Sequence, residues 1–245
     1  MKISTEQLSL LNFFSENSLI NELFEHCKQT FPFLSQEIGE KKLKAGLAKS
    51  INKAKALNIT QRGPLQLYID MAIILGSGFY TDPMYCNFGT VSEQFSSGTE
   101  LEISMQIYAE FDRYIKDVMG EDNCYILQFK KKLASLNLNG FSHVNFKNEV
   151  FVWLNQLYPQ KCMYLGCVKV KELICRGLID SSSYYLNHDA RAAYILVMFV
   201  VGNEFKSDHF HLYDDFFSSG KNCSDDVFIC KVKGFLGKYI DALIV

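Results

Sequence analysis

Tyr68-Ile69-Asp70-Met71-Ala72-Ile73-Ile74-Leu75-Gly76-Ser77-Gly78-Phe79-Tyr80-Thr81-Asp82-Pro83 recurs later in the same chain as Tyr194-Ile195-Leu196-Val197-Met198-Phe199-Val200-Val201-Gly202-Asn203-Glu204-Phe205-Lys206-Ser207-Asp208. Both runs read Tyr-Ile, six apolar-rich residues, Gly, two residues, Phe, a spacer, Thr or Ser, then Asp. The differences 194−68, 202−76, 205−79 and 208−82 all equal 126. A repeat of this kind is read before any local signal, because it dictates the architecture.

The echo extends in both directions. Phe14-Ser15 returns as Phe141-Ser142, Asn21-Glu22-Leu23-Phe24 as Asn148-Glu149-Val150-Phe151, and Gln29-Thr30-Phe31-Pro32 as Gln156-Leu157-Tyr158-Pro159, all offset by 127. Ile38-Gly39 and Lys42-Leu43-Lys44 return at the same offset as Leu165-Gly166 and Lys169-Val170-Lys171. Downstream, Arg113-Tyr114-Ile115 returns as Lys238-Tyr239-Ile240 at an offset of 125. Two single-residue deletions account for the drift. The expected organisation is a first copy over 1–119, a connector over 120–127 and a second copy over 128–245. The expected class is mainly α, two diverged copies of one multi-helix unit in a pseudo-twofold, intertwined arrangement. Each all-apolar helix needs cover on several sides, and the other copy is the nearest source of it.

Helical spacing supports that class. Apolar positions recur over 5–15, 18–30, 41–57, 64–75, 99–119, 124–135, 148–157, 165–180, 190–201 and 225–243. Phe31-Pro32 stops the second of these, since a residue before Pro is pushed out of the α region. Thr60 is a candidate cap for the helix at 64–75, whose apolar residues on nearly every face mark it as buried. Gly76 and Gly202 are the natural helix stops, and Thr81-Asp82-Pro83 and Ser207-Asp208 read as fresh helix starts. Residues 162–170 are the one stretch held open as extended.

The 245 residues are 48% hydrophobic and 14% aromatic, with 4 Pro and a net charge of −2, which suits a packed core and excludes disorder. A pI near 6.2 without a basic stripe argues against a nucleic-acid partner. The longest apolar run, Ala192 to Val201, is half the length of a membrane span. The N-terminal residues lack the charged-then-apolar order of a secretory signal. None of the eight cysteines (27, 86, 124, 162, 167, 175, 223 and 230) forms Cys-x-x-Cys. Cys27, Cys86 and Cys230 stand where the other copy has Leu154, Leu212 and Met105, which is how a small hydrophobe behaves.

Candidate chemistry is sparse. Gly76-Ser77-Gly78 lacks the preceding strand and following Lys of a phosphate loop, and reads as a helix stop. Asp82 and Asp208 are paired acids whose plainer role is a helix cap in each copy. His209 and His211, near Asp214 and Asp215, are the best metal-like cluster, yet Pro83 and Tyr85 stand at the matching positions. His26, His143 and His188 match Trp153, Glu16 and Arg62 and read as structural or solvated. Cys167 follows Gly166 where the first copy has Glu40, so it occupies no duplicated apolar position.

The strings Lys53-Ala54-Lys55-Ala56-Leu57-Asn58-Ile59-Thr60, Leu67-Tyr68-Ile69-Asp70-Met71, Leu75-Gly76-Ser77-Gly78-Phe79 and Asp82-Pro83 resemble a pattern in bacterial proteins of type VI secretion loci. That family's Trp after the Asp-Pro is replaced here by Tyr85-Cys86-Asn87. More distantly, the two-copy layout looks like the Erwinia virulence factor family, whose members carry a fatty acyl group on a cysteine in a pocket. That resemblance implies a covalently attached fatty acid as the only cofactor-like group and makes Cys167 and Cys175 the lipidation candidates. It also implies a bacterial cytoplasmic protein, with export by a route that uses no cleaved signal.

The expected function is therefore a non-enzymatic virulence or secretion-associated protein with an apolar pocket or seam. The seam would take an acyl chain or a hydrophobic element of a partner protein, with peripheral membrane contact as a further expectation. The alternatives are a cysteine-dependent hydrolase or acyltransferase using Cys167 with a His, and an immunity or adaptor protein of a secretion locus. A Cys and a His within hydrogen-bond reach is the mark of the enzyme reading.

Overall fold

Every residue from Ala192 to Val201 is buried, so the helix that carries them must be covered all round, and the rest of the chain is laid out to do so. The structure is a computed structural model that describes residues 4–85, 99–138, 140–184, 186–210 and 224–244. For residues 5–13 and 103 only the backbone is described. The helices are α1 (Thr5–Thr30), α2 (Pro32–Ile38), α3 (Glu40–Ala56), α4 (Arg62–Leu75), α5 (Glu100–Tyr114), α6 (Cys124–Ala134), α7 (Phe146–Leu157), α8 (Pro159–Leu165), α9 (Cys167–Ser181), α10 (His188–Val201) and α11 (Asp225–Leu243). A π turn, Ile115–Met119, extends α5, and a short 3-10 turn spans Pro83–Tyr85. The chain is mainly helical, with no strand among the described residues.

α10 lies between α9 and α11, while α4 lies between α3 and α5. Burying each large apolar side chain of such a helix stabilises the fold by roughly 1.5–3 kcal/mol. Elements far apart in the chain also pack on one another. α2 packs on α11, and α8 packs on the π turn that ends α5. The Pro83–Tyr85 turn packs on α9.

Element bounds recur at the offsets seen in the sequence. Pro32–Ile38 is followed 127 residues on by Pro159–Leu165, and Arg62–Leu75 is followed 126 residues on by His188–Val201. Gly39 and Gly166 close their helices at φ/ψ of 77/154 and 78/156. Tyr68 and Phe79 have ring centroids 5.2 Å apart, and Tyr194 and Phe205 have theirs 5.5 Å apart. Cys27 and Leu154 are both fully buried, as the small-hydrophobe reading expects.

Five sequence expectations need correction. The helices expected over 5–15 and 18–30 are one, α1, because the Ser15–Ser18 interval holds no Pro or Gly to break it. Residues 162–170 are helical, with Gly166 alone dividing α8 from α9. Thr60 does not cap α4 with its side chain. The Glu100 carboxylate does so from another helix, accepting from the Thr60 and Gln61 amides at 2.7 and 2.6 Å. After Asp82-Pro83 only a single 3-10 turn is described, not an α-helix. Cys230 is exposed, as is its counterpart Met105, so this position is not an apolar core position.

Candidate functional site

The two recurring stretches meet at their glycines. α4 ends at Leu75, and Gly76 takes φ +91; α10 ends at Val201, and Gly202 takes φ +119. A Cβ on Gly76 would lie 2.5 Å from the Val201 carbonyl oxygen. A Cβ on Gly202 would lie 3.2 Å from the Leu75 carbonyl oxygen. The two helix C-termini are therefore pressed against each other, and only glycine permits both the approach and the dihedrals.

The acids cross between them. Asp82 Oδ2 accepts the Asn203 backbone N–H at 2.7 Å, while Asp208 Oδ2 accepts the Ser77 backbone N–H at 2.8 Å. The remaining oxygens act locally: Asp82 Oδ1 accepts from Met84 N at 2.9 Å, and Asp208 Oδ1 accepts from Phe210 N at 2.7 Å. Asn203 Nδ2 also donates to Asp82 Oδ1 at 2.5 Å, and His209 N donates to Ser77 Oγ at 2.9 Å. Each aspartate thus binds an amide of its own turn and also caps the backbone beyond the other's glycine; among the described residues no α-helix starts at Asp82, and the helix expected after Asp208 lies outside them. Burial pushes the Asp82 carboxyl above the ordinary carboxylate range, against the hydrogen bonds that pull it down.

Two helix C-termini and two carboxylates concentrate negative potential here. Lysines answer it. Lys53 Nζ donates to the Ser77 carbonyl at 3.2 Å. Lys161 Nζ donates to the Val200 carbonyl at 3.0 Å and to the Tyr85 hydroxyl at 3.1 Å. The carbonyl 126 positions earlier, Ile74 O, instead accepts the Tyr239 hydroxyl at 3.0 Å.

Lys161 is the residue that the sequence reading did not single out. It is 1% exposed, and the rings of Tyr85, Tyr114 and Phe199 surround its Nζ at 5.6, 5.7 and 5.6 Å. Cation–π contact of this kind favours the ammonium. Burial nevertheless dominates and brings the amine down from 10.5 to about 7, the Asp82 charge opposing it. Beside it lies a cavity of about 10 Å³, lined by Tyr114, Tyr158, Val200 and Tyr239, enough for a single water-sized sphere. A signal was present in the sequence: Lys161 stands 127 residues after Leu34, which is equally buried.

The predicted site residues are scattered. Cys167 is exposed at the first position of α9 and Cys175 is half-buried in the same helix; neither lines the cavity beside Lys161. His26 pairs with Asp70 at 2.7 Å, as a structural histidine does. His143 and His188 are brought together, ring centroids 5.1 Å apart, beside an open groove of about 360 Å³. Among the described residues no hydrogen bond joins a cysteine to a histidine, and no group of three or more His, Cys, Asp or Glu is disposed to hold a metal. His211, Asp214, Asp215, Cys86 and Cys223 lie outside the described residues. Among the described residues, no helix is long and apolar enough to cross a membrane. No family model matches the chain, and no curated protein or solved structure matches it significantly.

Proposed function

We propose that this chain is a non-enzymatic, secretion-associated bacterial protein made of two diverged, intertwined copies of one helical unit, and that it docks an apolar element of a partner protein. The crossed Asp82 and Asp208 caps, the paired helix ends and the reciprocal packing of α2 and α8 support the two-copy part. The bacterial, secretion-associated placement rests on the resemblance in residues 53–83.

The observation that carries the docking is on α5. Leu101, Met105 and Tyr108 form a stripe at helical spacing, 64%, 65% and 59% exposed. Their counterparts 125 residues on are Asp226, Cys230 and Lys233, so the shared fold does not require apolar residues there. Adjacent exposed apolar residues of this size mark an interaction surface. α5 carries Glu100, Glu102, Glu110 and Asp112 against a single Arg113, which favours an element whose apolar side chains are flanked by lysine or arginine. The acyl-chain version has weaker support, since neither Cys167 nor Cys175 lines the small cavity beside Lys161 or the open groove beside His143 and His188.

The test places a photo-crosslinking residue at position 106 in the native host and identifies adducts by mass spectrometry. The same protein carrying Leu101→Glu and Tyr108→Glu should lose the adduct. Equal adduct yield from both proteins would overturn the docking reading. Intact mass of the same samples, if it showed an added acyl group, would restore the acyl version.

A further inference from the structure

We propose that Lys161 is a pH-operated latch across the junction: as a neutral amine it ties Tyr85 to the end of α10, and as an ammonium it favours states in which the seam parts and Nζ reaches water. The inference is independent of the docking surface.

The geometry carries it. Nζ bridges the two recurring stretches, because Tyr85 follows Asp82-Pro83 and Val200 precedes Gly202. Both partners are neutral oxygens. Asp82, the acid whose charge acts on Lys161, is engaged by Asn203 and Met84, so among the described residues a proton arriving on Lys161 meets no contacting carboxylate. A buried charge without a paired counter-charge is costly, and the fold relieves it by deprotonation or by opening. Leu34 shows that an aliphatic side chain fills the equivalent position, so an amine is not needed for packing.

The groups around Nζ titrate elsewhere. Tyr85 on the 3-10 turn, Tyr114 on α5, Tyr158 after α7, and Tyr239 on α11 are all pushed above the ordinary phenol range by burial. On α8 itself, burial pushes the Cys162 thiol up to about 12, and the Tyr164 hydroxyl is likewise raised. Arg176 on α9 acts on Asp82, drawing its carboxyl down. Neutral pH is therefore the range in which Lys161 changes state and these neighbours do not.

The sign follows from linkage. The unfolded chain holds this proton up to about 10.5, whereas the folded chain releases it near 7. Stability from this group is thus absent below pH 7 and grows as pH rises from there towards 10.5, the unfolding constant falling close to tenfold per pH unit.

The test uses the full chain and its Lys161→Met variant. Urea midpoints between about pH 6 and 9 should rise for the natural sequence relative to the variant, and the variant should be the more stable at the acid end. Hydrogen-exchange protection of the Ser77 and Asn203 amides should fall below neutral pH only when Lys161 is present. NMR titration of the Lys161 side chain should give a midpoint near 7. Equal pH slopes in the two proteins, unchanged protection, or a midpoint near the ordinary 10.5 would each overturn the latch.

Discussion

Asp82 accepts the backbone N–H of Asn203, a residue 121 positions away, and in doing so caps the chain beyond the other half's helix stop. Replacing it with alanine strands three donors: the Asn203 amide, the Asn203 side-chain amide and the Met84 amide. A buried donor left unpaired costs about 1–3 kcal/mol. Asp82→Ala should therefore lower the stability by roughly 3 kcal/mol or more. Asp208→Ala strands the Ser77 and Phe210 amides and should destabilise the chain likewise. Urea denaturation at neutral pH measures both, and a loss below about 1 kcal/mol for Asp82→Ala would contradict the crossed-cap account.

Gly76, Gly202 and Gly39 separate backbone strain from crowding. All three have positive φ, at +91, +119 and +77, but a Cβ at Gly39 meets nothing within 4 Å. Gly39→Ala should cost only the dihedral strain, of order 1–3 kcal/mol. Gly76→Ala adds the 2.5 Å approach to a backbone oxygen that cannot swing aside, and should be the most damaging of the three. Gly202→Ala, with its nearest contacts at 3.2 Å, should fall between. Denaturation midpoints that rank Gly39→Ala equal to Gly76→Ala would show that the helix ends are not in contact.

The helix stops and the buried helices over 64–75 and 190–201 were legible because each rests on a local rule: positive φ at glycine, apolar residues on every face. What Asp82 and Asp208 cap besides their own turns was not legible, since those partners lie more than a hundred positions away. Glu100 was missed for the same reason; its partners at Thr60 and Gln61 lie about forty positions earlier, at the start of α4. Lys161 was missed because helical periodicity scores a lysine as polar wherever it falls. Comparing Lys161 with Leu34 gives the burial that periodicity alone cannot.

Glu100 gives a pH-dependent prediction. Desolvation, the largest single influence, raises its carboxyl, but hydrogen bonds from Gln61, Thr60 and the Thr60 hydroxyl together outweigh it, leaving the group below its ordinary 4.5. A carboxyl lowered on folding contributes stability above its unfolded value and loses it as pH falls through the folded one. Glu100→Gln should cost about 1 kcal/mol at neutral pH, as for the loss of a helix cap, and progressively less as pH falls below 4.5. Urea midpoints for both proteins at neutral and acid pH check this, and a gap that widens on acidification would refute the cap.

Thiol reactivity tests where the cysteines lie. Cys27 is fully buried, and burial, followed by the nearby Asp70 charge, holds its thiol up at about 12. Cys162 is buried in α8, its thiol raised to the same value. Cys167 and Cys230 are exposed, and Cys175 and Cys124 are partly covered. Alkylation requires the thiolate and access to it. Iodoacetamide on the folded chain should therefore label Cys167 and Cys230 first and Cys175 more slowly, leaving Cys27 and Cys162 unmodified until urea unfolds the chain. Peptide mass spectrometry reads each site. Rapid labelling of Cys27 in the folded protein would mean that α1 does not seat against α2 and α3. Protection of Cys167 in protein from its native host, but not in recombinant protein, would instead identify it as the acylated residue.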